Sequence, residues 1–482
     1  MRNHSGGRKP EWIPLASLED MAQNDYDVLI VGTGAGGGAV LWRLLEQLGA
    51  GRIKIGVIER GGLLLPTHVW NIATMTDEIA NDIFYDVSVE PPGYMSPQTY
   101  ALGGRTLFWG LAAPRMDASD LAQWPVPLQE MNAYYNLAEK AMSVSADYMK
   151  GSSLESILLN RLQSGGYPEA VDAPMAINVE PTKYGMVNSN PFFSSIVWLA
   201  QIVNASFDLA VNARVVEVTK DKDRAAGVCI RTPDQKTTWL KAKNVVLAAS
   251  SFGTPHILLQ SGVQSHAVGH YLTNHSRVMA LGHVQRDQFP EVFGPAHIII
   301  PAKDDRPYQI QLVGPGGYFK VQKKIQPLQR NADITFYCSG EVESRFENRI
   351  SLDPHHVDDD GVPKLKIDFL YSERDQETIE LMKKGVGEAA DAAGIALVAQ
   401  SDQQTAFLLD PGLENHEVGT CRMGIDPFTS ATNPYGQIHG VQGLFVADNS
   451  VIPTSGTANP TLTTVALAIR TADHIIRHCL RS

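Results

Sequence analysis

The clearest hydrophobic pattern is a short unbroken apolar run, Asp27-Val-Leu-Ile-Val31, of the kind carried by a strand buried on both faces. A glycine-rich turn follows. Val40, Leu41, Leu44, Leu45 and Leu48 then recur at helical spacing over Ala39 to Leu48, and Gly49 stands where a helix C-cap glycine belongs. Ile53 to Glu59 reads as the next strand, which completes a β-α-β unit. From Gly61 to Gly104 the pattern weakens into loop-rich sequence broken by Pro66, Pro91, Pro92 and Pro97. A helix is predicted over Leu128 to Met142, with Met131, Tyr135, Leu137 and Ala138 among its apolar positions. Val211 to Leu240 alternates like a β-meander, with turn residues at Asp221-Lys-Asp223 and Pro233-Asp234. Asn244 to Ala249 is another buried run, feeding Ser250-Ser-Phe-Gly-Thr-Pro255 and a helix from His256.

The texture changes between Arg277 and Phe407. Strand-like runs (Ile298 to Ile300, Gln309 to Val313, Ile334 to Tyr337, Ile350 to Leu352) alternate with Gly and Pro turns, and a helix follows over Asp375 to Ala393. That pattern predicts an antiparallel sheet packed on helices. The chain then returns to a buried strand at Leu444 to Ala447 and a closing helix at Thr461 to Cys479. The expected fold class is α/β, a Rossmann-like nucleotide domain with a second α+β domain on an antiparallel sheet. Residues 22–276 with 408–482 form the first, segments within 61–200 being open to either, and 277–407 form the second.

At 482 residues the chain is long enough for two or three folding units. A formal charge of −12 gives a nucleic-acid partner no basic face to bind. The cysteines Cys229, Cys338, Cys421 and Cys479 form no C-x-x-C pair, which fits reduced buried thiols better than disulfides or zinc. Met1 to Met21 is polar and lacks the apolar core of a secretory signal. No apolar run approaches the roughly 18 residues of a membrane span, so the expected location is the cytoplasm. Oligomeric state leaves no mark on the sequence.

Gly32, Gly34 and Gly37 fit G-x-G-x-x-G at the strand-to-helix junction, with Ala35 inside the motif as a further cofactor-binding candidate. The first glycine permits the tight turn, the second bares the backbone to a pyrophosphate, and the third allows close helix–strand packing. Glu59 ends the second strand 22 residues after Gly37, placed to accept hydrogen bonds from ribose hydroxyls, with Arg60 beside it. Late in the chain, Gly443-Leu-Phe-Val-Ala-Asp-Asn449 reads as a strand ending in an acid, as if the chain returns to the same nucleotide.

Five segments carry a family resemblance: the N-terminal glycines, Gly103-Gly-Arg-Thr-Leu-Phe-Trp-Gly110, Ser250 to Pro255, His416-Glu-Val-Gly-Thr-Cys-Arg-Met-Gly424, and Val446 to Leu462 with its Asn459-Pro-Thr-Leu-Thr463. The chain resembles the glucose–methanol–choline oxidoreductases from about Tyr26 onward, closest in wording to bacterial sugar and polyol dehydrogenases and pyranose oxidases. The resemblance implies a two-domain architecture of p-hydroxybenzoate-hydroxylase type and FAD bound in an extended pose. It places Gly103, Gly104, Thr106 and Trp109 along the flavin and diphosphate, and Val215 near the adenine. Asp448 falls near the diphosphate and ribityl chain, and Asn459, Pro460 and Thr461 near the pyrimidine edge of the flavin. Several relatives attach the flavin through a His before a Trp or Asn; Phe108 stands there, followed by Trp109. The expectation is non-covalent FAD.

The resemblance also implies the chemistry, oxidation of a CH–OH group of a sugar, polyol or sugar-containing metabolite by hydride transfer to flavin N5. Hydride leaves carbon more readily once the hydroxyl proton is taken, so a base is needed, and imidazole suits the task. His416 matches the catalytic His and Asn459 its partner, which would hold the substrate oxygen. The plainer readings are a polar loop residue and a turn residue before Pro460. The electron acceptor stays open among oxygen, quinone and a redox protein. A lyase of the hydroxynitrile type, keeping FAD as structure, is the alternative; a non-catalytic nucleotide-binding scaffold would need neither His416 nor Asn459.

Remaining polar motifs read as structural. His355-His356 sits among Asp353, Asp358, Asp359 and Asp360 without metal-site spacing, so no metal is expected. His439 precedes the last strand, and Asn274-His275 reads as structural near the domain boundary. Arg105 either meets an anionic or hydroxylated ligand or faces solvent.

Overall fold

The computed structural model describes residues 12–49, 51–72, 74–75, 77–89, 94–181, 189–202, 205–263, 265–290, 293–315, 330–399 and 404–480. Residues 1–11 of the polar N-terminal stretch and Pro91 and Pro92 lie outside them.

The predicted β-α-β unit is the centre of a seven-stranded sheet. Asp25–Val31 pairs in parallel with Ile55–Ile58 on one side and with Thr237–Leu247 on the other. Thr237–Leu247 is one strand of eleven residues, where the sequence suggested two. Its first half pairs antiparallel with Arg224–Arg231 of the meander, and its second half pairs parallel with the late strand Leu444–Val446. The chain's return to the nucleotide sheet, inferred from an acid-ended apolar run, is therefore a ladder of hydrogen bonds.

A second seven-stranded sheet, antiparallel throughout, is built on His275–Gln285, Asn331–Glu341, Tyr308–Gly314 and Ala296–Ile300. Alternate residues divide its two faces, as the pleat requires. Val278, Ala280, Ile298, Ile310, Leu312, Ile334 and Phe336 form a core with helix Glu373–Ala393. The intervening positions Arg277, His297, Gln311, Val313, Thr335 and Tyr337 face a cavity shared with the first sheet. The second core also takes Leu154, Leu158 and Leu162 of helix Ser153–Ser164, and strand Val171–Asp172 joins the sheet's edge.

Other elements also depart from the sequence reading. The first long helix begins at Ala35 rather than Ala39, because the run Gly36-Gly-Gly38 has poor helix propensity but lies in close packing. A Cβ on Gly36 would overlap the Ala447 carbonyl, and one on Gly37 the Gly32 carbonyl. The helix expected from His256 begins at Ser250 with Pro255 inside it. Proline cannot supply the N–H that the Ser251 carbonyl would accept, and that carbonyl takes the Thr420 hydroxyl instead, at 2.7 Å. Helix Asp77–Val87 stands in the stretch read as loop-rich. Strand His275–Gln285 was not read because its first residues are buried on both faces, so alternation is hidden where the strand starts.

Candidate active site

One long cavity of about 640 Å³ runs between the two sheets, within the range usual for small-molecule sites. Its walls hold Gly32, Gly34, Ala35, Glu59, Arg60, Gly104, Thr106, Trp109, Val215, His416, Asp448, Asn459 and Thr461. Gly37, Gly103 and Pro460 stand behind the wall. Gly37 lets the helix close on the first strand, and Gly103 (φ +94°) packs against Ile196 and Leu107. Pro460 forms the N-cap of helix Thr461–His478.

The glycine end has the features of an anion cradle. Helix Ala35–Leu48 opens without a side-chain cap or an acid in its first turn, so its first N–H groups keep their hydrogen-bonding capacity. A Cβ on Gly34 would meet nothing within 4 Å, and Gly104 lies against Gly34. Glu59 is buried, and its Oε2 accepts the Thr33 N–H and hydroxyl at 3.1 and 2.6 Å while Oε1 accepts the Gly61 N–H at 2.9 Å. Burial pushes its pKa up against those three bonds. Val215 and the Arg60 and Arg214 guanidiniums line the same end, with Arg60 over the Tyr100 ring and Arg214 paired to Asp358 and Asp360 at 2.7 and 2.6 Å. An uncapped helix N-terminus, bare glycine backbone and a buried carboxylate after the second strand fit a dinucleotide.

Asp448 sits in the same wall, but its oxygens are engaged. Oδ1 accepts the Ser450 N–H and hydroxyl; Oδ2 accepts the Ser250 N–H and Thr254 hydroxyl. The carboxylate thus ties helix Ser250–Gln260 to the late strand.

At the other end, Asn415 takes φ +57°, a left-handed turn that Asn tolerates, and swings His416 into the cavity. The loop is pinned by reciprocal backbone bonds between Val418 and Thr273 at 2.8 and 3.1 Å, two residues before His275. His416 is partly buried beside His275, Arg277 and Arg105; desolvation in that setting, then those charges, hold its pKa well below the usual imidazole range. His416 Nε2 lies 3.4 Å from Asn459 Nδ2, so the structure brings the two predicted catalytic residues together.

The sequence reading missed several neighbours. Asn459 Oδ1 accepts from Gln311 Nε2 at 2.6 Å, and Gln311 Oε1 lies 3.1 Å from His297 Nε2. His275, read as structural near a boundary, touches His416: its Nδ1 lies 2.8 Å from His416 Nδ1. Arg277 NH2 lies 3.2 Å from the same nitrogen. One signal was present, a His and an Arg two apart at a strand start, hence on one face. Arg105 resolves to an ion pair, with both terminal nitrogens 3.1 Å from Oε2 of the buried Glu417. His356 pairs with Asp353 on an exposed hairpin, and no metal-binding cluster occurs among the described residues.

Two models described as GMC oxidoreductase match the chain, over residues 26–277 and 344–468. The chain is 28% identical to a C-glycoside 3-oxidase of Microbacterium trichothecenolyticum, across 78% of this chain and 75% of that protein. It is 24% identical to a pyranose 2-oxidase of Tricholoma matsutake (80% and 74% covered) and 26% identical to a paromamine 6'-oxidase of Streptomyces fradiae (94% and 92%). No helix among the described residues is long and apolar enough to cross a membrane.

Proposed function

We infer the activity from a premise now in hand: the chain belongs to the GMC oxidoreductase family. It is an FAD-dependent oxidoreductase of CH–OH donors. Its substrate is a sugar, polyol or sugar-containing metabolite, oxidised at one carbon to the carbonyl. The observation that carries this reading is the pairing of His416 Nε2 with the Asn459 amide in a cavity continuous with the glycine cradle. Gln311, His297, Thr335 and Tyr337 offer hydrogen bonds on the facing sheet, while Trp70, Phe108 and Trp109 offer flat apolar surface. Hydroxylated rings need both kinds of wall.

FAD would be held by the N-terminus of helix Ala35–Leu48, Gly34, Gly104, Thr106, Glu59 and Val215. When bound it supplies the acceptor for the hydride leaving carbon. His416 Nε2 takes the hydroxyl proton, and the Asn459 amide N–H donates to the substrate oxygen as charge builds there. Burial between two sheets excludes water from both contacts.

Anaerobic mixing of the holoenzyme with sugars, polyols, aminocyclitols and simple alcohols tests the reading. The sugar or polyol arm bleaches the flavin, whereas a lyase bleaches with none. The flavin is proposed to be non-covalent. Phe108 has no nucleophilic nitrogen, and His68, behind Trp109, has both nitrogens engaged by backbone: Nδ1 accepts the Trp70 N–H at 3.1 Å and Nε2 lies 3.1 Å from the Trp109 carbonyl. Acid precipitation should leave a colourless pellet and all flavin in solution; a yellow pellet refutes it.

A further inference from the structure

His416 Nδ1 has two partners that demand opposite protonation states. A guanidinium only donates, so a hydrogen bond from Arg277 NH2 needs Nδ1 bare and puts the ring proton on Nε2. His275 demands the reverse. Its Nε2 lies 3.2 Å from the Ser455 carbonyl, which only accepts, so Nε2 carries the proton and Nδ1 is a bare acceptor. The contact at 2.8 Å between the two Nδ1 atoms then requires the proton to sit on His416.

The far side of His416 decides between them. Asn459 Oδ1 accepts from Gln311 Nε2, which turns the Asn459 NH2 toward His416 Nε2. An NH2 group facing Nε2 needs a lone pair there. Gln311 Oε1 in turn faces His297 Nε2, a contact that the Nε2–H tautomer of His297 satisfies. One assignment satisfies every contact in the chain from His297 to the Ser455 carbonyl: His416 protonated on Nδ1 and bare on Nε2.

We infer that His275 is a positioning residue that holds His416 in the Nδ1–H tautomer, against Arg277, so that Nε2 keeps a lone pair, which the Asn459 NH2 faces and which the substrate hydroxyl takes over on binding. Resting on the reading of His416 as base, it accounts for the readiness of that base. The step is a single proton transfer: the substrate O–H bond breaks, its proton joins His416 Nε2, and the Nδ1–H bond to His275 stays. The chain ends on a carbonyl that cannot keep a proton, so His275 orients and does not relay. Arg277 would capture Nδ1 in its absence, which makes removal of His275 worse than the loss of one hydrogen bond.

The test uses holoenzyme with histidine-selective nitrogen-15 labelling, the His416 signals being those lost in His416→Ala. Wild type should show His416 bare at Nε2, and His275→Leu should move the bare nitrogen to Nδ1. Anaerobic flavin reduction by substrate should fall about a hundredfold in His275→Leu with KM little changed. His275→Asn, whose amide oxygen can accept from Nδ1–H, should recover most of the rate. His275→Leu combined with Arg277→Met should lose less than His275→Leu alone, since the competing donor is gone. A wild-type His416 bare at Nδ1, or an undiminished rate in His275→Leu, overturns the proposal. If His275→Leu does not fold, the wild-type spectrum decides alone. Normal flavin reduction in His416→Ala would instead overturn the base assignment, while the nitrogen signals would still report the tautomer.

Discussion

His416→Ala should bind FAD as wild type does yet reduce it with substrate at least a hundredfold more slowly. General-base loss costs about 10²- to 10⁴-fold. The cofactor's share is expected to survive because the cradle at Gly34, Glu59 and Val215 lies at the other end of the cavity wall. The pH dependence adds a second check. The reactive form of His416 is the neutral ring, and burial beside His275 and Arg277 lowers its pKa, so that form persists as pH falls through 6.5. Flavin reduction in wild type should therefore hold its rate below pH 6.5 and decline only at more acid pH. Stopped-flow traces under anaerobic conditions read both quantities. Near-normal reduction in His416→Ala would move the base elsewhere.

The second large effect comes from two glycine positions, two residues apart, with opposite reasons for being glycine. Gly36→Ala should leave little soluble protein. Its Cβ would overlap the carbonyl of Ala447, a residue just beyond strand Leu444–Val446 whose N–H is tied to the Leu247 carbonyl at 2.8 Å, so the backbone there cannot give way cheaply. The cost lies at or above the roughly 3 kcal/mol upper end of ordinary overpacking, a large part of a marginal stability. Gly34→Ala should fold, with stability within about 1 kcal/mol of wild type, because Gly34 has φ −65° and its Cβ meets nothing within 4 Å. The new methyl would stand in the cavity where a diphosphate must approach, so FAD affinity should fall sharply. Thermal unfolding of the apoprotein and flavin titration separate the two variants. A Gly34→Ala protein that retains full FAD affinity would place the diphosphate elsewhere.

Much of the nucleotide half was legible because its signals are local. A buried strand, a glycine turn and a helical stripe lie within thirty residues, and Leu128–Met142 starts and stops where its apolar periodicity does. Elements were missed where tertiary packing overrides local preference. The Gly36-Gly-Gly38 turn of helix and the helix through Pro255 both run against propensity, and each is held by contacts from residues far along the chain, Ala447 and Thr420. Helix Ser153–Ser164 was legible in its Leu154, Leu158 and Leu162 spacing and was not read.

By itself the sequence named the side chains proposed to carry the chemistry: the glycines of a phosphate cradle, Glu59, His416 and Asn459, each marked by a motif whose residue types that chemistry requires. What surrounds His416 was decided only by the tertiary structure. His275 lies 141 residues away along the chain, and Gln311 reaches Asn459 across 148. No local pattern encodes such meetings, because they depend on how the strand His275–Gln285 registers against its neighbours and on where the Val418–Thr273 bridge pins the catalytic loop. The proton on His416 depends on those contacts, since a tautomer is set by the donors and acceptors that meet in space.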